Sequence, residues 1–226
     1  MHVNESKKVS LKALGISLIL AVAGGVLSVL VWDKVPEPMP VHWNAEGVAD
    51  GFMPRIYGLS MIPALTFLLP LLILGLTRID PRKEKVNRSS NALGMLIGTL
   101  SAFLFAIHGL MVRAAMHMEQ LLHISSIFLL VGALFIVIGN MMPKFGSNFF
   151  IGIRTPWSLS DEKIWAKTQR LGGGLFVAAG IATCVMVLLG LSMKLLFPLF
   201  MVITLCVAIV PIVYSWMLWR EGQGHV

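Results

Sequence analysis

Six long apolar runs constrain the fold of this chain more than any other feature of its sequence. They cover residues 11–31, 58–77, 91–112, 124–142, 171–192 and 195–216. An apolar run of about 18 residues or more is long enough to cross the hydrocarbon core of a bilayer as a helix. Lipid offers no partners to backbone polar groups, so such runs must form helices or closed barrels. The sequence therefore predicts an all-α, polytopic membrane protein with six transmembrane helices.

Composition agrees with this class and leaves little sequence for a soluble domain. The chain is 57% hydrophobic and 13% charged, and its mean hydropathy is +0.83. The first run follows three lysines, but it is too long for a signal peptide and lacks a small-x-small cleavage site, so we interpret it as a retained span. We divide the chain into residues 1–90, with two spans and an acidic outer loop, and residues 91–226, with four spans and a cytoplasmic loop at 143–170.

The distribution of Lys and Arg predicts the orientation. Fourteen of the 18 lie in the two tails and in the loops around residues 78–88 and 144–170, which six spans place on one side. Cytoplasmic loops retain an excess of Lys and Arg. Both termini are therefore predicted to be cytoplasmic. The net charge of +7 then faces anionic lipid headgroups, and no nucleic-acid partner is needed to explain it.

The first outer loop, "DKVPEPMPVHWNAEGVADGF", is acidic and rich in turn formers. Its alternating prolines favour an extended path and forbid helix. His42, Glu46 and Asp50 are residue types that bind metals, and His117 and His123 of the next outer loop could join them. No pair has a recognisable ligand spacing. We predict a short ordered cap over the helix ends, with Trp43 as an interfacial anchor and no metal.

The spans contain few groups that could perform chemistry. No Asp, Glu, Lys or Arg lies deep in a span, where transporters usually carry them. His108 lies about one turn inside the outer end of span three and is interpreted as a histidine that reaches interfacial water. Paired prolines in spans two and six keep a transport path open as an alternative. No nucleophile–base pair, HExxH motif or paired acid occurs. We therefore predict that the protein is not an enzyme and has no cofactor.

The cytoplasmic loop is the most specific part of the sequence. Arg154 is flanked by Gly152, Thr155 and Pro156, a frame that could present one guanidinium in a fixed direction. Ser158 or Ser160 could cap a short amphipathic helix that leads into span five. Two interpretations remain open: a membrane-surface anchor, or a pocket or docking site built around Arg154, whose partner could be a regulator or the internal carboxylate of Glu162.

The segment "GNMMPKFGSNFFIGIRTPWSLSDEKIWAKTQRLGG" resembles the signature of the SdpI family of bacterial membrane proteins. "VPEPMPVHWNAEGVADGF" resembles a domain of unknown function that often precedes it. The resemblance implies a protein of the bacterial cell membrane that confers immunity against a secreted peptide toxin. It also implies a receptor that holds a transcriptional repressor at the membrane. A transporter or flippase of a small solute or lipid is the alternative.

The resemblance also implies which positions matter. The signature positions are Asn140, Pro143, Asn148, Gly152, Arg154, Thr155, Pro156, Trp157, Glu162, Trp165 and Arg170. Relatives often have His where this chain has Gln169. From this set we predict partner binding by Arg154, Thr155, Pro156, Trp157, Glu162, Trp165, Arg170, Asn140 and Asn148 inside the cell, and by His42, Trp43 and Asn44 outside it.

Overall fold

The computed structural model of the protein describes residues 2–44, 46–117 and 124–223. Six of its helices are long and apolar enough to cross a membrane. They are α1 (His2–Leu30), α2 (Arg55–Ile79), α4 (Ser90–Met116), α5 (Ile124–Met141), α7 (Glu162–Leu188) and α8 (Met193–Gln223). The predicted all-α membrane fold is confirmed, and the chain is a multi-pass membrane protein.

Short elements complete the fold at the two ends of the bundle. They are the strands β1 (Met39–Trp43) and β2 (Ala49–Met53) and the helices α3 (Lys83–Arg88) and α6 (Pro156–Ser160). The strands lie at one end, called here the hairpin side. The short helices lie at the other end with the start of α1 and the end of α8, called here the terminal side.

The bundle consists of two groups of helices. α1 packs against α2 and α4, whereas α7 packs against α5 and α8, and α4 and α5 join the two groups. One apolar core lies near the terminal side around Ile97 and Met141, and a second lies near the hairpin side around Met39 and Leu59.

The contact between α5 and α7 depends on glycine. A Cβ atom added at Gly139 would lie 2.5 Å from the carbonyl oxygen of Gly173, and one added at Gly132 would lie 2.9 Å from that of Gly180. Both helices therefore carry two glycines seven residues apart, and the pairs bring the two backbones into direct contact. Small residues permit such close approach in membranes, where helix association depends on packing. In the GxxxG of α4, formed by Gly94 and Gly98, an added Cβ at Gly94 would lie 2.6 Å from Val9 Cγ1 of α1, whereas one at Gly98 would meet no atom of another element within 4 Å.

His108 is not at the interface with water, as the sequence suggested, but is buried between α1, α2 and α4 with 1% of its surface exposed. Its Nε2 lies 2.9 Å from Ser28 Oγ, which also donates to the Leu59 carbonyl oxygen at 2.8 Å. The prediction failed because it used distance along the helix alone, whereas the side chain points towards two neighbouring helices.

On the hairpin side, residues of the first outer loop form an antiparallel hairpin in which Met39 lies opposite Met53. The Asn44 side-chain oxygen accepts hydrogen bonds from the backbone N–H groups of Glu46 and Val48, at 3.1 and 3.0 Å, and so closes the turn. The loop is ordered and extended as predicted. Its pairing into strands was not predicted, because alternating prolines are unusual in strands.

Candidate functional site

The candidate site is the segment from Pro143 to Asp161, which joins α5 to α7 on the terminal side. This segment begins within a 3₁₀ turn (Met142–Lys144) and includes α6 but is otherwise irregular, so many of its backbone polar groups need partners outside regular structure. Polar side chains of the segment itself, of α7 and of the α2–α3 connection supply many of them. The segment is therefore folded against the helix ends and covers them.

Asn148 organises the first turn of the segment. It is fully buried, and its side-chain oxygen accepts from the backbone N–H groups of Phe150 at 3.0 Å and Ile151 at 2.7 Å. Its amide nitrogen donates to the carbonyl oxygens of Gly146 at 2.9 Å and Ile151 at 3.1 Å. One side chain thus satisfies four backbone groups, a pattern that a carboxylate or an aliphatic residue cannot reproduce.

Two residues between α2 and α3, which the sequence analysis did not select, hold the same turn from the other side. Asp80 is 1% exposed and accepts from the backbone N–H groups of Phe149 at 2.8 Å and Arg82 at 2.6 Å. The Arg82 guanidinium donates to Ser147 Oγ and, at 3.1 Å, to the Leu159 carbonyl oxygen. It also lies 5.0 Å from the centre of the Phe149 ring. This pair ties the α2–α3 connection to both ends of the segment.

Gln169 of α7 fixes the next part of the segment. Its oxygen accepts from the backbone N–H of Ile153 at 3.1 Å, and its nitrogen donates to the carbonyl oxygen of the same residue at 2.8 Å. Gly152 has φ of +101°, and an added Cβ would lie 2.7 Å from Gln169 Oε1. Glycine at position 152 is therefore required both by the backbone conformation and by the nearby amide.

Thr155 begins α6 and connects it to α8. Its hydroxyl accepts from the Ser158 backbone N–H, and the Ser158 hydroxyl accepts from the Thr155 N–H, each at 2.9 Å, which forms a capping box. Thr155 Oγ1 also lies 2.9 Å from Ser215 Oγ of α8. The prediction that Ser158 or Ser160 caps the helix is therefore wrong, because Thr155 caps α6 and Asp161 caps α7.

Asp161 caps α7, and Glu162 pairs with a residue distant in sequence. Asp161 accepts from the backbone N–H groups of Ile164 and Lys163, and these bonds hold the pKa of its carboxyl below its usual range. Glu162 forms an ion pair with Lys85 of α3. The suggested pairing of Glu162 with Arg154 is therefore wrong. α7 then runs without a break into span five, so the predicted amphipathic turns are its first turns.

Arg154 lies on the exposed surface of the segment. Its Nη1 donates to the Phe149 carbonyl oxygen at 2.7 Å, which orients the guanidinium while leaving the side chain exposed. Pro156 and Arg170 are also exposed, and Trp157 is half-buried. Trp165 has a different position, because it is 3% exposed and its ring nitrogen donates to the Phe145 carbonyl oxygen at 2.8 Å. Trp165 therefore stabilises the segment from its buried side.

The other predicted site residues lie outside this segment, one on α5 and three on the hairpin side. Asn140 is exposed on α5 and bonds to its own helix at the Ile136 carbonyl oxygen. His42, Trp43 and Asn44 lie on the hairpin side, at the opposite end of the bundle. The selected residues therefore lie at the two opposite ends of the bundle.

On the hairpin side, His42 Nδ1 lies 2.5 Å from Asp50 Oδ1 across the two strands. Trp43 packs on the hairpin-side core, and with Ile107 and Met111 it lines an apolar cavity of about 270 Å³. Across residues 2–44, 46–117 and 124–223, no three His, Cys, Asp or Glu side chains approach closely enough to hold a metal ion. His123, considered as a possible ligand, lies outside the described residues.

With this geometry in place, the comparisons with known proteins identify the chain's relatives. Residues 144–215 match the SdpI/YfhL protein family, and residues 19–67 match a domain of unknown function, DUF1648. The immunity protein SdpI of Bacillus subtilis strain 168 is 26% identical over 171 residues, which cover 76% of this chain and 79% of that protein. No solved structure matches the chain. The resemblance stated from the sequence is therefore confirmed: a region that matches the SdpI/YfhL family follows a region that matches DUF1648.

Proposed function

We propose that this protein is a membrane immunity protein that protects a bacterial cell against a secreted peptide toxin. The similarity to immunity protein SdpI carries the proposal, because it extends over most of both chains, and the two family matches cover the hairpin and nearly all of the candidate site. In this proposal the hairpin side faces outwards and both termini are cytoplasmic. The excess of Lys and Arg on the terminal side supports that orientation.

The proposal assigns the two ends of the bundle to two partners. The hairpin side would meet the peptide toxin, with His42, Trp43 and Asn44 at the contact. The terminal side would hold a transcriptional repressor when toxin is bound, with Arg154 as the principal contact. Arg154 supports this role because its guanidinium is held by one hydrogen bond and remains exposed. A fixed guanidinium can bind a carboxylate through two parallel hydrogen bonds, which Lys cannot do.

Two substitutions at Arg154 test the site. In cells exposed to the toxin of the producing strain, Arg154→Ala should abolish repressor recruitment, and Arg154→Lys should lose most of it, because Lys offers only a point charge. Recruitment is measured by co-purification of the repressor with membranes, and protection by survival, at matched protein levels.

Arg88 provides the control, since it is an exposed arginine on the same side, at the end of α3. Arg88→Lys should leave survival and recruitment unchanged. Full recruitment by Arg154→Lys would contradict a specific site and identify the segment as a membrane-surface anchor. If deletion of the whole gene leaves sensitivity to every secreted peptide of the strain unchanged, the immunity proposal itself is wrong.

A further inference from the structure

A cavity of about 810 Å³ lies on the terminal side, where the start of α1 meets the end of α2, α3 and the start of α4. Its lining has an apolar part and a charged part. Leucines line it from α1, α2 and α4, among them Leu11, Leu14 and Leu93. Arg78, at the end of α2, and Lys83, at the start of α3, are the two cations of the lining.

The two cations of the cavity lining differ from two neighbouring cations in the contacts that their side chains make. Arg82, between α2 and α3, and Lys85, in α3, are both engaged inside the protein, with Ser147 and Glu162 respectively. The Arg78 and Lys83 side chains are exposed, and within the described ranges neither forms an ion pair, a side-chain hydrogen bond or a ring contact. Their charges are therefore available to a ligand.

A small, free anion is not the ligand that fits this cavity best, because it would not contact the apolar part of the lining. Leu11 is 68% exposed, and Leu14 is partly buried against the terminal-side core. Apolar surface beside two cations at the end of a span fits a molecule with a negative head and a hydrocarbon tail. Basic pockets between transmembrane helices bind such lipid headgroups.

We propose that this cavity binds one anionic phospholipid, with its phosphate between Arg78 and Lys83 and an acyl chain along Leu11 and Leu14. Glu84 also lines the cavity, so two cations and one carboxylate give these side chains a formal charge of +1. That charge matches a singly charged headgroup such as phosphatidylglycerol. The inference does not depend on the immunity function.

The test is native mass spectrometry of the purified full chain in neutral detergent, titrated with phosphatidylglycerol or phosphatidylcholine. The wild-type protein should retain one phosphatidylglycerol in preference to phosphatidylcholine. Arg78→Gln and Lys83→Gln should each weaken phosphatidylglycerol binding about fivefold, the effect expected for one cation near a membrane surface. Glu84→Gln should strengthen binding, because it removes a negative charge beside the phosphate.

Arg88→Gln is the matched control, since it removes one exposed positive charge from the same short helix outside the lining. It should leave binding unchanged. Millimolar inorganic phosphate should not displace the lipid, because it cannot replace the acyl-chain contacts. Equal retention of the two lipids, displacement by phosphate, or an Arg88→Gln effect as large as that of Arg78→Gln would overturn the proposal.

Discussion

At the scale of single residues, the candidate site is organised by buried amides and hydroxyls that bind backbone groups. Asn148, Gln169 and Ser158 are each at most 1% exposed, and all bind the backbone of the same segment. An irregular segment has no ladder of its own, so these side chains replace one. This arrangement explains how a largely irregular segment can hold Arg154 in one orientation.

Asn148→Ala should lower the free energy of unfolding by about 3 kcal/mol, because it leaves buried backbone donors and acceptors without partners. The measurement is denaturant unfolding of the purified protein in mild detergent. Asn140→Ala is the control, since Asn140 is exposed and its side-chain nitrogen donates to its own helix; its effect should be below about 1 kcal/mol. Equal losses in the two variants would show that the four bonds of Asn148 contribute nothing specific.

At the scale of secondary-structure elements, glycine position decides how helices meet. α7 contains three consecutive glycines, but they have different surroundings. An added Cβ at Gly173 would lie 2.5 Å from the Gly139 carbonyl oxygen and 3.1 Å from Pro143 Cδ, whereas one at Gly174 would meet nothing within 4 Å. The same contact fixes the end of α5 and therefore the point at which the candidate segment begins.

Gly173→Ala should destabilise the protein by about 1–3 kcal/mol, because the methyl group forces two packed backbones apart. Gly174→Ala should be neutral or stabilising by up to about 1 kcal/mol, because alanine has the higher helix propensity and no clash opposes it. Thermal unfolding of both variants in the same detergent measures the difference. A Gly174→Ala variant as unstable as Gly173→Ala would mean that helix flexibility, and not the contact with α5, requires these glycines.

At the scale of the whole molecule, the fold places two chemically different surfaces at the two ends of one bundle. The hairpin side carries the paired strands and the apolar cavity beside Trp43. The terminal side carries the folded segment, α3 and most of the cations of the chain. Separate surfaces of this kind suit a protein that contacts different partners across a membrane.

Single cysteines test the proposed orientation. Glu46→Cys on the hairpin turn and Ser160→Cys beside α6 should react with a membrane-impermeant maleimide from opposite faces, because both positions are exposed at opposite ends of the bundle. In intact cells only Glu46→Cys should be labelled. The background is a Cys184→Ser, Cys206→Ser protein, which also serves as the unlabelled control. Labelling of Ser160→Cys alone in intact cells would reverse the orientation.

The sequence by itself determined the number and approximate position of the spans, the charge asymmetry and the family resemblance. It also selected Asn148 and Arg154. Each of these follows from a local property: the length of an apolar run, the composition of a loop, or a short ordered motif. The start of α7 was harder to predict from the sequence. Its first turns are polar and amphipathic, so they were separated from the apolar span.

Tertiary structure alone decided the long-range partners. The bond of Asp80 to Phe149 and the ion pair of Lys85 with Glu162 join residues 69 and 77 positions apart, and the His108 contact with Ser28 joins residues 80 apart. Nothing local in the sequence specifies such pairs, because they depend on which helix faces meet. The physical reason is that lipid satisfies the apolar faces of all six helices equally, so close packing and buried hydrogen bonds determine their arrangement.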